Sequence, residues 1–205
     1  VKLAFWVLRQ AIINRRGKKS IQACYLQVQT GTRGAGSQSK LKVLVTGGSG
    51  FLGRTIVELL TERFSDKFEV VVFDAVAKPN PSQPTVTYIQ GDLRIPSHVA
   101  QAMKGVMGVI HSGAMLEQAT TDLKEMYAIN VGGTQNVIEA ALQEDTKAMV
   151  YTSSVSVFVT KKLVDLVGVR EDAIVPDTED MLLTYAANKR KAETYVLAAN
   201  GHVLQ

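Results

Sequence analysis

Cysteine is almost missing: Cys24 stands alone in 205 residues, so no internal disulfide can form and no thiolate cluster is there to hold a metal. Nothing in the chain therefore asks for an oxidising compartment, and a reducing one is the default. Also lacking is any run of the roughly 20 apolar residues that a membrane-spanning helix requires. The hydrophobic share, 46%, is instead that of a soluble globular protein, and the length suits one well-buried domain with a tail. Acids are absent from residues 1–42, which hold nine of the 23 Lys and Arg; residues 43–205 carry the other 14 against all 19 acids, a net −5. The overall formal charge of +4 thus comes from the leader, and the acidic remainder argues against a nucleic-acid partner.

That leader begins apolar (LAFWVL) and continues through Arg9, Arg15, Arg16, Lys18 and Lys19. It is open to reading as a mitochondrial transit segment, a membrane-surface helix, a nucleic-acid arm or an unstructured extension. The first residue is Val1 rather than Met, and the natural start is expected elsewhere. TGTRGAGSQSK, residues 30–40, is a Gly/Ser-rich linker by composition. Residues 1–41 are accordingly expected to be extension and linker, and 42–205 the folded domain.

From Lys42 strand and helix signals alternate. KVLVT (42–46), EVVVF (69–73), VTYIQ (86–90), VMGVIH (106–111) and AMVYTS (148–153) read as strands, and PNPSQP (79–84) as a surface loop, since three prolines in six residues cannot sustain a ladder. Ile56, Leu59, Leu60 and Phe64 fall on one helical face; in a second helix, over about 123–143, Val131, Thr134, Ile138 and Ala141 or Leu142 share another. Strands apolar on both faces and separated by helices predict an α/β fold with a doubly wound parallel sheet, Rossmann-like.

Gly47, Gly50 and Gly53 make G-x-x-G-x-x-G directly after a strand and at the head of a helix. Such a turn needs its first glycine for the bend, its second so that backbone can approach a pyrophosphate, and its third for close helix–strand packing. The free N–H groups and dipole of the helix then stabilise phosphate charge, with Phe51 and Leu52 beside it. Asp74 closes the second strand 21 residues past Gly53, placed to accept hydrogen bonds from an adenosine ribose. Its charge opposes a phosphate on that ribose, so NAD is favoured over NADP, a preference that nearby Arg54 and Lys78 weaken. In GDL (91–93), Asp92 can accept from an adenine amino group, with Leu93 alongside, or simply begin a turn. HSGA (111–114) ends the fourth strand in the small residues Ser112, Gly113 and Ala114, as backbone passing a cofactor requires; His111 reads as strand-end packing rather than as a catalyst.

In YAANK (185–189), Tyr185 and Lys189 stand at i and i+4 and project from one helical face. A phenol near pKa 10 is a poor base at neutral pH, but a nearby ammonium, helped by an oxidised nicotinamide, lowers it by about one to three units. YTSSVSVF (151–158) places Thr152, Ser153 and Ser154 at the carboxyl end of the fifth strand, the usual ligand crevice of an open α/β sheet, where a hydroxyl can hold a substrate oxygen.

Together the glycine motif, Asp74, GDL, NVGGT (130–134), YTSS and YAANKRKAE resemble the extended short-chain dehydrogenase/reductase family over about 43–201. VYTSS with KAETYVLAANG (191–201) looks most like its 3β-hydroxysteroid and sterol dehydrogenase branch. The resemblance implies that Tyr185 is the general acid/base, that Lys189 binds the nicotinamide ribose and lowers the tyrosine pKa, and that Ser154, rather than Ser153, orients the substrate. Asn130 matches the asparagine that shapes the site between the fourth and fifth strands, and the resemblance places it at the cofactor. The implied activity is NAD-dependent oxidation of a secondary alcohol, the 3β-hydroxyl of a steroid or sterol; a nucleotide-sugar epimerase or dehydratase, or a non-catalytic dinucleotide-binding fragment, are the alternatives. Two departures stand out: Val159 and the following TKKLVDLVGVRED replace a glycine-led loop, and the chain stops at Gln205, where relatives continue into a C-terminal substrate region. An exposed sheet edge there would favour association, such as a homodimer, or instability. By resemblance the compartment is cytoplasmic or endoplasmic-reticulum-associated, and by the leader mitochondrial.

Overall fold

The computed structural model describes residues 40–162 and 176–199; residues 1–39, 163–175 and 200–205 lie outside it, and with them the readings made for 1–39 and for most of the TKKLVDLVGVRED stretch. β1 (Leu41–Thr46), β2 (Phe68–Asp74), β3 (Thr87–Gln90), β4 (Gly108–His111) and β5 (Ala148–Tyr151) form one all-parallel sheet in the order β3-β2-β1-β4-β5. Each strand is a short Val-rich run, the pattern of strands covered on both faces. Observed strands are one to two residues shorter at several ends than the apolar runs, because ladder bonds stop where the chain turns away.

Alternation along the strands divides the core. Leu44, Val71, Phe73, Val109, Met149 and Tyr151 face α2 (Pro96–Met103), α4 (Gly133–Gln143) and α5 (Thr184–Ala199), in a cluster completed by Val99, Met103, Val137, Ile138, Ala192 and Val196. Val45, Val70 and Val72 face α1 (Phe51–Arg63) through Val57. The expected α1 face is partly corrected: Gly53 and Val57 are the buried positions, Ile56 and Leu60 flank them, and Leu59 is 45% exposed. Close approach at Gly53 makes the 53–57 line innermost, and at 100° per residue Leu59 lies far around the helix from Val57.

The helix expected over 123–143 has a break in it. α3 (Leu123–Tyr127) is capped by Asp122, whose carboxylate accepts from Lys124 N and Glu125 N, and a π-helical turn over Ala128–Gly132 separates it from α4. Val131, Thr134, Ile138 and Ala141 are buried along this segment, as their spacing predicts.

Register sets the site. Phe73 pairs with Thr46, Thr46 with His111 and His111 with Tyr151, so these residues form a row across the sheet. The next residue of each strand segment, Asp74, Gly47, Ser112 and Thr152, therefore emerges at one level, at the carboxyl edge where open α/β sheets bind ligands.

Candidate active site

A cleft of about 900 Å³ runs along that edge, lined by the glycine turn, the ends of β2, β4 and β5, and Tyr185 and Lys189 of α5. Three features of its α1 end fit a dinucleotide. Gly50 caps α1 with no side-chain bond to the first-turn N–H groups, and no acid lies in that turn, so donors and dipole are left for an anion. Gly47 has φ +68°, and a Cβ there would come within 2.6 Å of Gly113 Cα; a Cβ at Gly53 would lie 2.1 Å from Gly47 O. Glycine at these two positions is what lets turn, helix and β4 end close on one another. At Gly50, by contrast, a Cβ would meet only Gly47 O, at 3.2 Å, so its missing side chain leaves room on the cleft side.

Asp74 stands at the end of β2 with Oδ2 accepting from Ser49 N (3.0 Å) and Oδ1 from Val76 N (3.0 Å). These bonds orient the carboxylate without closing its remaining lone pairs. Arg54 is turned back onto Ser49 O (3.1 Å), and Lys78 meets Ser49 Oγ through its backbone N–H (3.2 Å).

Phe51, Leu52, Leu93, Ser112, Gly113, Ala114 and Thr152 all line the cleft. Asp92 lines it too, but its expected role as an adenine acceptor meets a competitor: Arg94 grips the carboxylate with Nε (2.9 Å) and Nη2 (2.6 Å) and reaches Glu125 with Nη1 (2.7 Å). The Arg94 side-chain bond holds the Asp92 carboxyl below its ordinary range. Asn130, expected at the cofactor, lies behind the wall instead. It is 2% exposed, accepts from Met115 N (2.7 Å) and donates to Met115 O (2.9 Å), pinning the loop that lines the cleft.

Beneath the cleft floor runs a buried chain of hydrogen bonds. Thr134 Oγ1 donates to Asn130 O (2.7 Å), so it accepts from His111 Nε2 (2.9 Å). The neutral ring then accepts at Nδ1 from Thr46 Oγ1 (2.6 Å), which in turn accepts from Gly113 N (3.2 Å). Burial pushes the His111 pKa down to about 3. The ring is a structural clamp between β1, β4 and α4, as strand-end packing predicts.

Across the cleft the two serines separate. The Ser154 hydroxyl acts on the Tyr185 phenol, favouring its charged form, and its Oγ lies 2.7 Å from Ser156 Oγ. Ser153 Oγ donates to buried Glu193 (2.9 Å) and is 9% exposed. Ser154 is thus the serine beside the phenol. Thr152 Oγ1 donates to His111 O (3.1 Å). Lys189 is 3% exposed, with Nζ 4.2 Å from the centre of the Tyr151 ring, a cation–π contact that offsets part of the lost hydration.

Electrostatics depart from expectation at Tyr185. Burial raises its pKa, and the Ser154 hydroxyl pulls the other way; the lowering expected from Lys189 is not the net direction in the chain alone. Lys189 is itself pushed down to about 7 by burial, with Glu193 opposing. Two acids escaped the sequence reading. Glu117 accepts from Tyr185 N (2.7 Å) at the head of α5, and nothing in the sequence around it announces that contact. Glu193 does continue the four-residue spacing of Tyr185 and Lys189, a visible signal.

Comparison with known proteins agrees with this geometry. Residues 44–205 match the model of the 3-beta hydroxysteroid dehydrogenase/isomerase family. The 3 beta-hydroxysteroid dehydrogenase type 7 of Mus musculus is 39% identical over 169 residues, covering 78% of this chain and 45% of that protein. The 2-alkyl-3-oxoalkanoate reductase of Stenotrophomonas maltophilia is 40% identical over 161 residues, covering 78% and 47%. Among solved structures, MoeE5 in complex with UDP-glucuronic acid and NAD superposes with a TM-score of 0.63 at 32% identity, covering 77% of this chain and 49% of that one. The chain spans about half the length of the curated relatives it matches. It belongs to the 3-beta hydroxysteroid dehydrogenase/isomerase family, a branch of the extended short-chain dehydrogenases/reductases with a nicotinamide-dinucleotide fold.

Proposed function

We propose that this chain carries the nucleotide-binding and catalytic half of an NAD-dependent dehydrogenase that oxidises a secondary alcohol, the 3β-hydroxyl of a steroid or sterol. The observation that carries the reading is that Ser154, Tyr185 and Lys189 line one cleft together with the glycine turn and Asp74, with Lys189 one helical turn from Tyr185. Bound NAD supplies the hydride acceptor. Gly47, Gly50 and Gly53 with the head of α1 would hold its pyrophosphate, and Asp74 its adenosine ribose. Ser154 Oγ holds the substrate oxygen, Tyr185 Oη takes the hydroxyl proton, and Lys189 engages the nicotinamide ribose while its charge favours the phenolate. Asp74 also supports NAD over NADP, because its carboxylate would meet a 2′-phosphate at close range.

The test is NADH formation, followed at 340 nm, from purified chain, NAD and a 3β-hydroxysteroid. Tyr185→Phe is expected to lower turnover by roughly 10²- to 10⁴-fold, with cofactor affinity within a few-fold of the unaltered chain; equal turnover by the variant would remove the mechanism. A second reading has its own support in the likeness to MoeE5, whose structure holds a nucleotide sugar with NAD. It predicts firmly held NAD, conversion of a nucleotide sugar and no net NADH release.

A further inference from the structure

Lys189 is a cation in a place that disfavours cations. It is 3% exposed, and the groups facing it among the described residues are Tyr185 and Glu193 on its own helix, Tyr151 of β5 and His111 of β4, with Arg190 beside Glu193. At neutral pH the two phenols and the imidazole are uncharged, since burial raises both tyrosines and lowers the histidine. Glu193 is then the one group of opposite charge in that set. It lies one helical turn past Lys189, is 2% exposed, and is held in place by Ser153 Oγ at 2.9 Å, with Arg190 Nη1 4.0 Å from its other oxygen.

We propose that Glu193 is a positioning residue of the active site, whose buried carboxylate, one helical turn from Lys189 and held by Ser153, enlarges the share of Lys189 that carries its proton near neutral pH. The inference deepens the dehydrogenase reading and rests on it for the use made of Lys189. Without a neighbouring anion, a lysine this deep loses its proton below neutrality, and the cleft loses both its cationic hand on the ribose and its field on Tyr185. The direction of the Glu193 effect on Lys189, upward against burial, agrees. Glu193 touches neither substrate nor cofactor in this scheme; it acts through Lys189.

The experiment is an NMR titration of the Lys189 side chain (13Cε and 15Nζ shifts, assigned with Lys189→Met) in the ligand-free chain. Glu193→Gln, near-isosteric and uncharged, is expected to lower the Lys189 midpoint by about one pH unit or more. Ser153→Ala, which keeps the charge, should move it by much less. An unchanged midpoint in folded Glu193→Gln overturns the proposal, and so does an equal drop in Ser153→Ala, which would assign the effect to repacking. Should Glu193→Gln not fold, Glu193→Asp withdraws the charge by one methylene: a lowered midpoint supports the proposal and an unchanged one overturns it. No substrate is needed, so a null titration removes the coupling and leaves the dehydrogenase reading standing. Absence of NADH formation by the unaltered chain does the reverse.

Discussion

Two adjacent serines at the end of β5 show how finely a strand end sorts side chains. Because successive residues point to opposite sides, Ser154 reaches Tyr185 while Ser153 turns under the floor to Glu193. Ser154→Ala should therefore lower turnover by roughly 100-fold while leaving the melting temperature almost unmoved, and Ser153→Ala should cost less than about tenfold in rate. Paired steady-state kinetics and thermal melts check this; equal rate losses would contradict the sorting. His111 makes a different kind of prediction. Its folded pKa of about 3 lies below the unfolded value of 6.5, so the unfolded chain binds the extra proton and stability falls as pH drops from about 6.5 toward 3. At pH 5 the loss is about 2 kcal/mol relative to pH 7. Denaturant melts at both pH values should show His111→Asn losing less over that interval than the unaltered chain, despite being less stable at pH 7.

At the scale of elements, the glycine turn divides into positions that fold the chain and a position that serves the ligand. A Cβ at Gly53 meets Gly47 O at 2.1 Å, backbone against backbone, whereas one at Gly50 meets it at 3.2 Å. Gly53→Ala is expected to destabilise by roughly 1–3 kcal/mol, a melting-temperature drop of several degrees. Gly50→Ala should melt within about 2 °C of the unaltered chain and lose NAD affinity at least tenfold, read by protein fluorescence titration. This turn was legible in the sequence because strand, glycine spacing and helix period all describe local geometry, as was the i, i+4 pair Tyr185 and Lys189. The π turn was not: Val131 within it keeps helical spacing with Thr134 and Ile138 beyond it, so periodicity alone cannot show the extra residue. Its use becomes clear only when Asn130 is seen bonding Met115 across the cleft wall. Arg94 on Glu125, and Glu117 at the head of α5, were equally hidden, since pairing between distant segments depends on where the fold sets them down.

Across the whole molecule, the cleft is where otherwise separate segments meet. The α1 side of the sheet contributes the glycine turn and Asp74, and the β5 side contributes Ser154 with Tyr185 and Lys189 from α5, more than 100 residues later in the chain. A nucleotide spanning that distance contacts both halves of the parallel sheet, so its binding free energy adds to the stability of the whole. At a concentration 100 times its dissociation constant, NAD should stabilise the folded state by about 2.7 kcal/mol, which for a chain of this size is a rise of roughly 5–10 °C in melting temperature. NADP at the same concentration is expected to give a smaller rise, because its ribose phosphate would face the Asp74 carboxylate. Asp74→Ala separates the contributions: removing the acceptor should weaken NAD by roughly 10- to 100-fold, the worth of a charged hydrogen bond, while NADP, relieved of the repulsion, loses less or gains. Differential scanning fluorimetry with both nucleotides on both proteins provides the four numbers. If Asp74→Ala lowers the two shifts equally, the acid does not read the ribose, and any preference between the two nucleotides must then rest on other residues of the cleft.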